Sequence, residues 1–249
     1  MLFDNEKLDK SVPIPLYFQL KELILNEIKK ENYKDGDMIP TENEISEKFQ
    51  ISRTTVRQAI TELVQEGWLY RVKSKGTFAT HPKIPQDFLR KLESFHDQIE
   101  RLGMKPSTQL IELKQRKADR EVAEALGIAE GDEVIYLFRK RFADENPVVT
   151  IQTYLPYDKC SFIMEHDLQK DALYEILAQK KETKIHKVKR RIEAVEAEEG
   201  DMRLLDMEQG KPVQFFTSIG YTYEDVALEY SKARYRGDRS FFEITIATG

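Results

Sequence analysis

Two arginine pairs in this 249-residue chain are spaced to work on anions. Arg53 and Arg57 stand four apart, so a helix places both on one face, where guanidinium forks read guanine edges or clamp phosphates. Arg139 and Arg141 alternate within Val134 to Phe142, so a strand turns both to one side together with Ile135 and Leu137. A second alternating row, Ala227, Glu229, Ser231, Ala233 and Tyr235, offers a polyol an acceptor and a hydroxyl. If the hairpin between them turns through Asp144 to Asn146, Arg141 faces Val148 and Leu137 faces Gln152, which brings Gln152 onto the arginine face. Ser94 followed by Asp97 reads as a capping box opening a helix that Gly103 ends, with the amides of Ser94, Phe95 and His96 turned toward an anion. Tyr174, within Leu173 to Leu177, suits either a pocket or a core. The plain alternative is that paired charges on a strand form the solvated side of a sheet.

Local signals say which elements hold the first pair. Thr41 and Glu44 form a capping box, and Ile45 and Phe49 follow one helical step apart, giving a short helix that ends near Gln50. Ser52 caps a second helix whose buried spacing runs through Val56, Ile60 and Leu63, and Gly67 stops it. Arg53 lies in its first turn beside Thr54 and Thr55. Leu69 to Val72 and Thr77 to Thr80 then alternate as strands around the tip Lys73-Ser74-Lys75-Gly76. This is the pattern of a winged helix-turn-helix over residues 11–80, with Leu20, Leu23, Ile24 and Ile28 as the core face of its first helix. Residues 11–80 carry ten basic and ten acidic side chains, so the domain is neutral as a whole. Residues 21–49 hold five basic against eight acidic, whereas 50–80 hold five against two, which concentrates positive charge on the second helix and the wing.

Prolines at 82 and 85 in a polar stretch suggest an extended connector at 81–89, followed by a second domain over 90–249. Within it Leu126, Gly131, Val134 and Tyr136 recur as Leu205, Gly210, Val213 and Phe215, each 79 positions later. Each copy reads as helix, turn glycine, strand and hairpin, and two such units join most simply into one antiparallel sheet with helices against it. The fold class is therefore α+β. The basic run Lys187 to Arg191, punctuated by Val188 and Ile192, reads as a solvated strand edge rather than a second nucleic-acid surface. Cys160 is the single cysteine, which leaves no intrachain disulfide and suits a small buried residue. The four histidines, at 81, 96, 166 and 186, lack ligand spacing, so neither a metal nor another cofactor is expected. With no apolar run of about 20 residues and no signal-peptide pattern, the expected compartment is the cytoplasm, away from membranes.

Several stretches together resemble the GntR superfamily of bacterial transcription regulators. They are Pro13 to Leu20, Ile39-Pro40-Thr41-Glu42, Ile51 to Ala59, Glu66-Gly67 and Gly76-Thr77-Phe78. The remainder resembles its HutC subfamily, whose effector domain, the UTRA domain, resembles chorismate lyase in fold. The resemblance implies that Arg53 reads a base and that Gly76 enters the minor groove. It places Thr41, Glu42, Asn43, Ser52, Thr54, Thr55, Arg57, Lys73 and Lys75 with them at double-stranded DNA. Many members carry an arginine where this chain has Asn43, and a short amide there favours adenine. For the second domain it implies an effector pocket of Ser94, Phe95, His96, Arg139, Arg141, Gln152, Tyr174, Glu229 and Tyr235, the last just before Arg236-Gly237-Asp238-Arg239. Acetylglucosamine-phosphate sensors of this group tend to carry Thr or Ser at the His96 position, Glu at Gln152 and Ser at Ala172, so anion binding looks retained while sugar identity is open.

The expected function is a homodimeric repressor of a carbohydrate or amino-sugar operon, released from a palindromic operator by a small phosphorylated sugar. An activator would share every feature named. The alternatives are a carboxylate or fatty-acid effector, or a lyase-like enzyme fused to a DNA-binding domain. No nucleophile and base pair, metal set or nucleotide loop supports catalysis, so an enzyme is not expected.

Overall fold

The computed structural model describes residues 7–30, 32–81, 83–85, 94–242 and 244, and divides into two compact units, residues 1–83 and 84–249. Each has its own core.

In the first unit α1 spans Leu16–Lys29 and buries Leu20, Ile24 and Ile28 completely. Helix α2, Glu42–Phe49, begins at the expected box: the Thr41 hydroxyl accepts from the Glu44 amide, and the Glu44 carboxylate accepts from the Thr41 amide at 2.7 Å. It ends where Gln50 turns left-handed, and after this tight turn α3, Arg53–Gln65, is capped by Ser52, whose hydroxyl accepts from the Thr55 amide at 3.1 Å. Val56, Ala59, Ile60 and Leu63 are the buried stripe of α3. Gly67 closes it at φ 78°, and the Trp68 amide returns to the Leu63 carbonyl at 2.9 Å. Strands β1, Leu69–Val72, and β2, Gly76–Ala79, form the wing, with Val72 opposite Gly76.

The second unit begins with β3, Ile84–Pro85, and α4, Phe95–Arg101. Then follow β4, Pro106–Lys117; α5, Arg120–Leu126; β5, Glu133–Ala143; and β6, Asn146–Pro156. A short helical passage contains α6, Tyr157–Cys160, and α7, Leu173–Leu177. The last elements are β7, Lys187–Glu196; α8, Glu199–Leu205; β8, Pro212–Tyr221; β9, Ala227–Arg236; and β10, Ser240–Phe241. Six strands make one antiparallel sheet in the order β4-β5-β6-β9-β8-β7.

That order reads the same from both edges as strand, strand, inner strand. It is the architecture of a duplicated unit. The bounds of α5 and α8 differ by the same 79 positions as the sequence repeat, and their caps, Asp119 and Glu198, match as well. Gly127 and Asp206 both end their helices left-handed, and Leu126 and Leu205 are both buried. Strand β7 lies at the sheet edge, as its lysines suggested. Cys160 is buried among Ile135, Leu155 and Leu177, and burial pushes its thiol up to about 12.

One expectation is described only in part and one needs correction. In the stretch read as a connector, 81–89, residues 82 and 86–89 lie outside the described residues, as do 90–93 at the expected start of the second domain. The division between the two units falls inside that stretch, between residues 83 and 84. His81 is buried in the first unit, its amide donating to Asp35 at 2.8 Å, and the Ile84 amide donates to the Arg239 carbonyl at 2.8 Å as β3 pairs with β10 in the second.

The correction is register. The β5–β6 hairpin starts as expected, Ala143 opposite Asn146 and Phe142 opposite Pro147, but Arg141 then pairs with Val149. Val148 is an extra residue that shifts every later pair by one. Gln152 therefore stands opposite Phe138, on the face away from the arginines, and Ile151 and Thr153 take the expected place.

Candidate functional site

One face of the sheet, with α4 and α7, encloses a cavity of about 1070 Å³. Arg139 and Arg141 enter from β5, Ile151 and Thr153 from β6, and Glu229, Ser231, Ala233 and Tyr235 from β9. Ser94, Phe95 and His96 line it at the start of α4, and Tyr174 from α7. Of the residues expected at an effector site, Gln152 alone lies elsewhere, for the register reason given above.

The cavity is built around charges withdrawn from water. Arg139 is 3% exposed, and the Nε atoms of Arg139 and Arg141 have no hydrogen-bond partner among the described residues. Burial holds Arg139 well below the usual arginine value, with Arg141 beside it adding to the effect, and burial also lowers Arg141. Two desolvated guanidiniums side by side favour a bound anion, which supplies both the opposite charge and the missing acceptors. Opposite them the Tyr174 hydroxyl donates to Glu229 at 2.5 Å. Burial pushes the Glu229 carboxyl up from the ordinary range, and burial together with the Glu229 charge pushes the Tyr174 hydroxyl well above its own. Tyr235 rises to about 12, chiefly through burial.

Helix α4 differs in detail from its expected role. The Ser94 hydroxyl accepts from the Asp97 amide at 3.1 Å and donates to the Asp97 carboxylate at 2.8 Å, so an acid of the chain already sits at this helix start. The Phe95 ring lies 5.2 Å from the Arg141 guanidinium, and His96 turns to Glu100 at 3.2 Å with its side chain largely exposed.

The first unit gathers its basic groups on the predicted side. A groove is lined by Thr41 and Glu42 at the start of α2, by Arg57 of α3, by Arg71, and by Lys73, Ser74, Lys75 and Gly76 of the wing. Arg53 and Thr54 are exposed at the start of α3, Asn43 is exposed in the first turn of α2, and Thr55 bonds Ser52 at 2.8 Å. Glu42 bridges two guanidiniums, Arg57 at 3.3 Å and Arg71 at 3.2 Å. Gly76 has φ 141°, and a Cβ there would stand 3.0 Å from the Met38 sulfur, so this tip requires glycine.

Residues 16–79 match the model of the bacterial regulatory proteins of the gntR family, and residues 101–240, more than half of the chain, match that of the UTRA domain. The chain belongs to the GntR family. Within it the transcriptional repressor NagR of Bacillus subtilis strain 168 is 32% identical over 235 residues, 94% of this chain and 96% of the relative. The mannosyl-D-glycerate transport/metabolism system repressor MngR of Escherichia coli K12 is 27% identical over 90% of this chain and 92% of its own length. Among solved structures, PhnF from Mycobacterium smegmatis superposes with a TM-score of 0.68 at 25% identity, covering 94% of this chain and 99% of that one. This GntR protein is thus a DNA-binding transcription regulator with an α+β fold and a UTRA domain. Among the described residues no helix is long and apolar enough to cross a membrane.

Sequence reasoning missed several residues of the site in this GntR protein, three cavity-lining side chains and one neighbouring glycine among them. Thr153 and Ser218 carry no distinctive chemistry, and Arg190 sits in the run read as a solvated edge, yet all three line the cavity. Gly220 stands opposite Glu229 in register, and a Cβ there would come 3.1 Å from the Glu229 carboxylate, so its small size leaves room for that side chain. Strand parity gave a partial signal for Arg190. Its partners Val188 and Ile192 share its face.

Proposed function

We propose that this chain is a homodimeric repressor whose operator affinity is lowered by a small anionic metabolite, a phosphorylated sugar in the first instance. One observation carries the effector reading: two guanidiniums, Arg139 buried and Arg141 half-buried, face one cavity with their buried Nε atoms unpartnered among the described residues. Buried cations without acceptors destabilise a fold unless a ligand of opposite charge completes them. The hydroxyls and carboxyl of Ser231, Tyr174 and Glu229 beside them suit a polyol. A relative named for mannosyl-D-glycerate supports a carbohydrate-linked role.

At the DNA, Arg53 and Arg57 would enter a major groove while Lys73, Lys75 and Gly76 follow the backbone into the minor groove. Thr41, Glu42, Asn43, Ser52, Thr54 and Thr55 lie around them. Two such units meet a palindrome in the cytoplasm, and the metabolite favours a dimer shape that fits it less well, on the usual scale of about 5- to 150-fold.

Electrophoretic mobility shifts with DNA from upstream of the chain's own gene provide the test. The expected result is a complex at moderate salt that hexose or amino-sugar phosphates dissolve and their unphosphorylated parents do not. Absence of any complex overturns the repressor reading, and indifference to every phosphate overturns the effector.

A further inference from the structure

Opposite the arginine pair, the cavity has a second cationic end. Thr153 stands opposite Ser231, Ser231 opposite Ser218, and Ser218 opposite Arg190, so a row of three hydroxyls crosses β6, β9 and β8 and ends at a guanidinium on β7. All four line the cavity. Arg139 and Arg141 enter from β5, on the far side of this row, four strand spacings or about 19 Å of sheet away. Lys184 lines the cavity just before β7, adding a cation at the Arg190 end. The volume, about 1070 Å³, lies at the top of the range for small-ligand sites.

Glu229 lies between the two ends, within electrostatic reach of both Arg190 and Arg139. It accepts from Tyr174, and burial favours its neutral form. Arg190 also acts on Tyr174. A guanidinium has five N–H donors in a planar fork, so Arg190 can meet a hydroxyl and a carboxylate with different edges. The Thr153 hydroxyl is fully buried with no partner among the described residues, as suits a floor whose partners arrive with the ligand.

We infer that the effector carries two anionic groups at opposite ends of a polyhydroxylated body: a phosphate held by Arg139 and Arg141, and a carboxylate held by Arg190 with Lys184. The inference rests on the anion-sensing reading above and adds the second group. Phosphorylated sugar acids and phosphorylated glycosides of hydroxy acids are the chemical class.

Calorimetric titration of the full-length protein with inorganic phosphate, glucitol 6-phosphate and 6-phosphogluconate tests it. The last two probes share phosphate and chain length and differ in one terminal carboxylate. Expected is a preference of about tenfold or more for 6-phosphogluconate, the scale of one charge-assisted hydrogen bond. Arg190→Gln should erase that preference and leave glucitol 6-phosphate binding in place, whereas Arg190→Lys, which keeps the charge, should retain part of it. Arg139→Gln should weaken all three probes. Equal affinity of wild type for the two sugar phosphates, or equal weakening of both by Arg190→Gln, overturns the carboxylate end and leaves phosphate sensing standing. Binding of none of the three overturns both readings together.

Discussion

Tyr174 and Glu229, 55 positions apart in sequence, meet in a 2.5 Å hydrogen bond inside the cavity. The donor arrives on a five-residue helix and the acceptor on an inner strand. Their pairing holds a carboxyl in a place that burial makes unfavourable for its charge, and this has a measurable signature.

Because burial raises the Glu229 carboxyl above its ordinary 4.5, the folded state binds that proton more tightly than the unfolded chain. Its contribution to stability is therefore fully present below 4.5 and declines as pH rises through the folded value. Glu229→Gln should remove this decline. Urea unfolding of both proteins from about pH 4 to about pH 8 should show wild type losing stability relative to the variant as pH rises. A difference that does not vary with pH would contradict the assignment. Tyr174→Phe, which removes a donor to the carboxylate, should cost about 1–3 kcal/mol and steepen the decline.

Arg139 should be a residue that binding needs and stability does not. Arg139→Met removes a buried, incompletely bonded charge, so the ligand-free protein should melt at the same temperature or higher. Wild type with an anionic effector at 100 times its dissociation constant should gain about 2.7 kcal/mol, and the variant nothing. Thermal shift reads both, and a destabilised variant that still responds sinks the proposal.

Glu42 bridges Arg57 and Arg71 on the groove face of the first unit. Glu42→Ala should release one or two cations for phosphates. Binding to random-sequence DNA should tighten, and the slope of log K against log salt should steepen by about 0.9 for each new phosphate contact. An unchanged slope means that neither arginine reaches the backbone.

Gly237 is fixed by contact rather than by backbone angle. A Cβ there would lie 2.7 Å from the Pro212 carbonyl oxygen, at the crossing of β9 into the turn before β10. Gly237→Ala should cost about 1–3 kcal/mol, seen as a lower denaturant midpoint with the slope unchanged. The flanking Arg236 is structural too: it donates to the Leu205 carbonyl at 3.0 Å and pairs with Asp238 at 2.9 Å.

How far the sequence could be read depended on how far apart the deciding contacts lie. Thr41 with Glu44, Ser52 with Thr55, and Gly67 at the end of α3 are signals closed within a few residues, and each appears as read. The 79-residue repeat was equally visible, because duplication copies caps and turn residues along with the core. Gln152 was misplaced by one bulge at Val148, a feature with no distinctive residue type, and period two turns a one-residue error into the wrong face. Arg190 was hidden differently. Its strand is an edge, as expected, but an edge strand still has an inner face, and the packing of α7 decides that this face is a cavity wall.

The sequence alone determined the family, the wing, the two helices before it and the paired half-sheets, because capping hydrogen bonds, left-handed turn positions and strand alternation are local and leave local patterns. Only the tertiary structure decided which face of the sheet is enclosed, that Tyr174 reaches Glu229, and that three hydroxyls on three strands lead toward Arg190. Those relationships are set by register and by burial across strands distant in sequence, where a single extra residue changes which side chains meet.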